Sequence, residues 1–300
     1  MSFTGYAARL SLLIATALVA ALPCPARAAS EETAKHTLHY KFQIGDVLRY
    51  DIEHNALIRS TMEGSTQKAQ TRSASVKAWK VIDVLPNGEI ELQHVVEELQ
   101  MTNRLPERAE MKYDSTKDST PPAGFEDAAK AVGVPLSHIR LTPWGKVVEH
   151  EIKHHQPAAD PYAPLAVLLP EGPVAVGDTW DEPVEIKVNL SEGGTKAVKT
   201  RRHFRLASVT NGVAVIESKF QVLSPVQPEV EGQLAQRFID GTVRFDIAKG
   251  RVISQEYDVD KRVLGFAGPA SSMHYQMQMS ERLRDESATV ASRPTTADEK

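Results

Sequence analysis

Apolar and polar side chains alternate with a period of two along most of this 300-residue chain, the spacing of strands that bury one face. Val76, Ala78, Lys80 and Ile82 interleave with Lys77, Trp79 and Val81, and the run stops at Leu85-Pro86-Asn87-Gly88. Asn-Gly reverses a chain readily because both residues tolerate positive φ. A hairpin is therefore predicted there, returning through Ile90, Leu92, His94 and Val96. A second predicted hairpin runs over 200–209, turns at Asn211-Gly212 and returns over 213–223. Near the end, Met273, Tyr275, Met277 and Met279 alternate with His274, Gln276, Gln278 and Ser280. That gives the last strand a methionine-rich face, which suits an adaptable apolar surface and equally an ordinary core strand.

Four landmarks fall in the same order in both halves. Gly45-Asp46-Val47-Leu48 matches Gly177-Asp178-Thr179-Trp180, and an Asn-Gly turn follows each. Met111-Lys112-Tyr113-Asp114 then matches Val243-Arg244-Phe245-Asp246, and Gly145-Lys146-Val147-Val148 matches Gly250-Arg251-Val252-Ile253. Any β-rich chain reuses such turn pairs, but four in order predict a diverged duplication. The first half carries an insertion with a polar loop at 115–122 and a short helix candidate at 125–132. The expected fold is all-β with few short helices: two related antiparallel curved sheets, or half-barrels, in a pseudo-symmetric arrangement. The first repeat is assigned to 29–156 and the second to 174–284. Between them, 157–173 reads as a proline-rich linker with one or two helical turns near 162–169.

The ends change the compartment. Arg9, an apolar run over 10–22 and Pro23-Cys24-Pro25-Ala26-Arg27-Ala28 follow the three-part order of a secretory signal, cleaved after Ala28. The run is shorter than the roughly 20 residues a spanning helix needs. A lipid anchor on Cys24 is disfavoured because Pro23 stands where a small residue is required. Cleavage removes the sole cysteine, so the mature protein forms no disulfide. It also removes Arg9 and Arg27, taking the net charge from -4 to -6. An acidic chain argues against a nucleic-acid partner, which needs clustered Lys and Arg. No segment of the mature chain reads as transmembrane, and 285–300 reads as a disordered tail.

Several stretches resemble those of an uncharacterised family of exported bacterial proteins, common in planctomycetes. They are residues 40–50 (YKFQIGDVLRY), 141–147 (LTPWGKV) and 169–180 (LPEGPVAVGDTW). The resemblance covers most of the mature chain, and it implies a compartment and a repeat layout but no catalytic residue. In outline the β-rich halves are also similar to the half-barrels of periplasmic carriers of the LolA and LolB type, a likeness of fold alone.

Among motifs with chemistry, His150-Glu151-Ile152-Lys153-His154 has the residue types of a zinc peptidase. On a helix, His150 and His154 would share a metal and Glu151 would activate its bound water. Here the segment follows a Pro-Trp-Gly turn and reads as extended. In a strand, residues four apart stand roughly 13 Å from one another, too far to hold one ion. His154-His155 with His150 could hold a transition metal loosely, with a solvated strand end as the plainer reading. No nucleophile elbow, phosphate loop or dinucleotide fingerprint occurs. Glu97-Glu98 and the pair Asp258 and Asp260 have the residue types for acid–base work on a sugar, but on alternating strands they read as solvent-facing charges. Asn189-Leu190-Ser191 matches a glycan acceptor.

The expectation is an exported, non-catalytic cell-envelope protein without a cofactor, holding an apolar small molecule (a lipid or lipoprotein segment) or an envelope protein in a concave sheet face. A zinc-dependent hydrolase using His150, Glu151 and His154 is the first alternative. A structural or protein-interaction module is the second.

Overall fold

The computed structural model describes residues 34–154 and 165–284. The expected signal over 1–28, the start of the linker and the expected tail lie outside the described residues. The first half runs through β1 (Lys35–His36), β2 (Val47–Met62), β3 (Ser65–Val84), β4 (Ile90–Arg104), β5 (Met111–Asp114), helix α1 (Glu126–Lys130), β6 (Pro135–Leu141) and β7 (Val147–Ile152). The second runs through β8 (Val174–Ala175), β9 (Thr179–Asn189), β10 (Thr195–Thr210), β11 (Val213–Val222), helix α2 (Pro228–Leu234), a 3-10 turn (Ala235–Arg237), β12 (Asp240–Asp246), β13 (Arg251–Leu264) and β14 (Ser272–Leu283).

The all-β expectation holds, with two antiparallel sheets, one large and one small. The large sheet follows the order β7-β6-β4-β3-β2-β14-β13-β12-β11-β10-β9, with β5 beside β4, and is not closed into a barrel. Strands of both halves share it because β14 pairs with β2, setting Leu283 opposite Tyr50 and Glu281 opposite Ile52. The small sheet pairs β1 with β8, placing Lys35 opposite Ala175.

Turn chemistry fixes the register. Asn211 (φ 51) and Gly212 (φ 76) join the directly paired Thr210 and Val213, the two-residue hairpin that positive φ permits. The earlier Asn-Gly sits in a longer loop, since the first paired residues are Val84 and Ile90. A two-residue turn would need Pro86 in the closing pair, and proline has no N–H to give. At both Gly-Asp landmarks the same bonds form. Gly45 N–H donates to Val81 O at 3.0 Å and Val81 N–H to Asp46 O at 2.9 Å. Gly177 N–H donates to Leu206 O at 2.8 Å and Leu206 N–H to Asp178 O at 3.0 Å.

Two sequence readings need correction. Residues 111–114 form β5, which pairs with β4, whereas 243–246 belong to β12 between β11 and β13. The place beside β4 and β7 belongs instead to β6, and four alternating residues are too short a signature to distinguish such strands. The described part of the supposed helical stretch, 165–169, is not helical. Pro170 biases Leu169 away from helical backbone, and Leu169 N–H donates to Trp144 O at 2.8 Å.

Alternation sends Tyr50, Val81, Leu92, Ile139, Phe204, Ile216 and Phe245 to one face, where they form the main core. Helix α2 packs on that same face, with Val230 and Leu234 against Ile186, Val188 and Val198. The other face of β3 and β4 buries Val76, Ala78 and Val95. The insertion carrying α1 is tied to β4 by Gly133 N–H donating to Val96 O at 2.8 Å, and its Phe125 stacks on Tyr113 of β5. No helix among the described residues is long and apolar enough to cross a membrane.

Candidate functional site

The core face is not filled everywhere. A cavity of about 320 Å³ remains between it and two overlying segments, residues 165–167 and 237–239. Ile52 of β2 and Val184 of β9 both line it, although six steps of strand order separate them, so the sheet curls strongly around the space. Its apolar wall comes from Ile186, Phe204, Phe220, Ile239, Met277 and Met279. The volume stands at the lower end of small-molecule sites.

The first overlying segment is pinned at its C-terminal end. Tyr40 Oη donates to Val167 O at 3.0 Å, and Trp180 Nε1 donates to Leu168 O at 2.8 Å. Gly145 (φ 80) lets it lie close, since a Cβ there would meet Val167 O and stand 2.7 Å from the Tyr40 ring. The second segment joins the sheet through Phe220 N–H donating to Ile239 O at 3.1 Å, with Phe238 edge-on to Phe220. Lys261 Nζ lies 2.6 Å from Glu231 of α2 and 4.1 Å from the Phe238 ring centroid, which fixes this cover over β13.

The lining is not wholly apolar. Lys77 Nζ lies 2.7 Å from Glu281 Oε1, with side chains 15% and 5% exposed. Both line the cavity, together with Arg202, Arg237, Gln255 and Tyr257. Lys77 Nζ also stands 5.5 Å from the Tyr50 and Trp79 ring centroids. Arg202 Nη1 is 2.7 Å from Glu182 Oε2. Burial, reinforced by the Glu281 carboxylate, pushes the Tyr257 phenol far above its ordinary range. It stays protonated and donates to Gln255 Oε1 at 2.7 Å. Beyond Trp79, His94 stacks on the indole at 4.7 Å. Burial, then Lys77, then His150 drive its pKa down to about 3, so the imidazole is neutral.

The motif residues fall elsewhere. His150 and Glu151 lie in the exposed edge strand β7, and His154 follows its end. Glu151 bonds to Lys153 at 2.6 Å, and this contact holds its carboxyl below the usual range. Among the described residues no three His, Cys, Asp or Glu side chains are grouped to hold a metal. Glu97 pairs with Arg49 at 2.7 Å, and Asp260 accepts from His274 at 2.7 Å and Gln276 at 3.0 Å. The sequence reading placed no cavity cation and left out α2. Both left signals: Glu281 continues the phase of Met277 and Met279, Lys77 that of Trp79 and Val81, and Pro228 with Glu229 and Glu231 marks a helix start.

No family model and no curated protein matches the sequence. Among solved structures, one of lipid–protein interactions in lipovitellin overlaps 82% of this chain at TM-score 0.45 and 11% identity. The chain spans 26% of that protein. DynF of the dynemicin pathway of Micromonospora chersina overlaps 86% of this chain and 89% of its own, at TM-score 0.20 and 6% identity. The Pseudomonas aeruginosa MucA/MucB complex overlaps 82% of this chain and 94% of its own, at TM-score 0.10 and 11% identity. Overlaps this slight leave the functional reading to the cavity.

Proposed function

We propose that this is an exported, non-catalytic protein of the cell envelope that holds an apolar ligand in the cavity between its curled sheet and residues 165–167 and 237–239. The observation behind the reading is the roughly 320 Å³ of space faced by Phe204, Phe220, Met277 and Met279. A well-packed interior of this size leaves few voids larger than a water molecule. Methionines on one wall adapt to chains of different shape.

The signal at 1–28 belongs to the same proposal, and N-terminal sequencing of the exported protein starting at Ala29 is its expected outcome. So does a duplication of one ancestral unit, supported by the shared strand order of β2-β3-β4-β6-β7 and β9-β10-β11-β12-β13 and by the matching bonds at Gly45-Asp46 and Gly177-Asp178.

The neutral fluorophore N-phenylnaphthylamine tests the cavity. It should brighten on binding the purified protein and be displaced by long-chain alcohols. Ala166→Trp, which fills the cavity from its cover, should weaken the probe by at least about tenfold while the melting temperature holds. Native mass spectrometry after mild extraction should show a co-purifying apolar molecule. A protein that neither brightens the probe nor carries such a molecule overturns the reading.

A further inference from the structure

The uncharged polar groups of the cavity name the kind of ligand more closely, and this step rests on the apolar-ligand reading above. The charged lining is already engaged. Lys77 and Glu281 hold each other at 2.7 Å, Arg202 is 2.7 Å from Glu182, and Arg237 has a partner of its own. A charged ligand head brought here would leave water and meet no counter-charge that lacks a partner, which is costly. Two neutral side chains stand differently. Ser218 of β11 is 7% exposed and lines the cavity, yet its hydroxyl has no hydrogen-bond partner among the described residues. Interiors rarely leave a hydroxyl unpaired, because it loses its water for nothing in return. Thr200, buried on the adjacent strand β10, shows the usual arrangement by donating its hydroxyl to Val184 O at 2.6 Å. Gln255 of β13 is the second such group. Its Oε1 accepts from Tyr257 Oη at 2.7 Å, while its Nε2 donates to nothing among the described residues. The register sets these groups on one stretch of the core face. Ser218 pairs with Gly241, and Gly241 with Tyr257. A Cβ at Gly241 would collide with the Tyr257 ring, so glycine there lets the ring lie across β12 in the direction of β11. The phenol in turn holds the Gln255 carboxamide in place.

We propose that the cavity ligand is an uncharged amphiphile whose oxygen function, a hydroxyl or a carbonyl, bonds to the Ser218 hydroxyl and the Gln255 carboxamide while its hydrocarbon part packs on Phe220 and Met279. Ser218 both donates and accepts, and Gln255 Nε2 carries two donors, so an acceptor oxygen satisfies either group and a hydroxyl also supplies Ser218 with a donor. A pure hydrocarbon of the same shape leaves both groups without a partner, which is how a site with buried polar groups rejects it.

Displacement of N-phenylnaphthylamine from the full-length protein by decanol, methyl nonanoate, decyl chloride and decanoate tests this. Decanol and the ester should displace the probe at least as tightly as decyl chloride, although water expels the chloride more strongly. Decanoate should be at least about tenfold weaker than decanol. A preference for decanol over the ester assigns a hydroxyl head, and the reverse assigns a carbonyl. Ser218→Ala should weaken decanol by about fivefold or more and move decyl chloride by less than about twofold. Gln255→Leu with Tyr257→Phe, which strands no phenol, should weaken decanol and the ester in the same direction. Because the Ser218 hydroxyl has no protein partner to lose, Ser218→Ala should lower the melting temperature by no more than about 2 °C. A larger fall would place the hydroxyl in a bond within the fold and overturns the proposal. So does equal weakening of decanol and decyl chloride in Ser218→Ala, or decanoate matching decanol in the unaltered protein, and each of these leaves the apolar cavity standing. Failure of all four compounds overturns the cavity reading itself.

Discussion

Lys77 Nζ and Glu281 Oε1 meet at 2.7 Å across the intervening strand β2, joining β3 to β14 over 204 positions of sequence. Both side chains are nearly withdrawn from water, at 15% and 5% exposure. A buried pair of this kind gains in Coulomb attraction about what it loses in desolvation, but one member left alone is costly. Lys77→Met alone and Glu281→Gln alone should each destabilise the protein, Lys77→Met by roughly 3 to 5 kcal/mol. Lys77→Met combined with Glu281→Met should recover most of that. Urea unfolding of the three variants checks the cycle, and additive losses would deny the coupling.

Glycine at 145 and glycine at 212 both take positive φ, yet they face different surroundings. A Cβ at Gly212 meets nothing within 4 Å, whereas one at Gly145 collides with the Val167 carbonyl and the Tyr40 ring. Gly212→Ala should cost about 1 kcal/mol, the left-handed backbone penalty alone. Gly145→Ala adds displacement of the segment over the cavity and should cost on the order of 3 kcal/mol. It should also weaken probe binding, a second readout that backbone strain by itself does not move. Thermal melts and probe titrations of both variants make the comparison.

Much of the frame is written in local chemistry. Asn211-Gly212 can form its hairpin from two residues alone, and the alternation of Met273 to Met279 sends those side chains to one face whatever lies opposite. The cavity is not local. It needs β2 and β9 brought together by the accumulated curl of the strands between them, and residues 165–167 laid over it by contacts to Tyr40, Trp144 and Trp180. Tyr40 and Trp144 lie far off along the chain and Trp180 stands 12 positions beyond Leu168, so local pattern does not reveal that 165–169 is non-helical. Glu281 and Lys77 were visible as charges in an apolar phase, but their meeting depends on which strands are neighbours.

His94 gives the protein a defined response to acid. The folded state holds its pKa near 3, through burial first, then Lys77, then His150, against 6.5 as its ordinary value. Its Nε2 is buried without a hydrogen-bond partner. The unfolded chain therefore binds a proton between these values that the folded protein refuses. This contribution to stability is complete above about pH 6.5 and is lost as pH falls toward 3, at up to about 1.4 kcal/mol per pH unit. His94→Phe keeps the stack on Trp79 and removes the proton uptake. Urea midpoints for the two proteins should lie closest at pH 7 and separate by pH 4.5, where the unaltered protein is the less stable, and parallel curves would show that His94 does not titrate on unfolding.

The histidines of β7 supply the last test. His150 stands within the strand and His154 just beyond it, where Lys153 N–H and His154 N–H both donate to Leu136 O, at 2.9 and 3.1 Å. Extended backbone spaces residues four apart by roughly 13 Å, whereas zinc–imidazole bonds are about 2.1 Å long. A metal that bound both would need the strand end peeled from β6, at the expense of those two bonds. Zinc should therefore leave the melting temperature within about 1 °C of its metal-free value, since a ligand raises stability only by preferring the folded state. Glu151→Gln should leave the urea midpoint unchanged, as its contact with Lys153 is a surface pair. A zinc-dependent rise in melting temperature abolished by His150→Ala would revive the hydrolase alternative and move the functional centre from the cavity to the sheet edge.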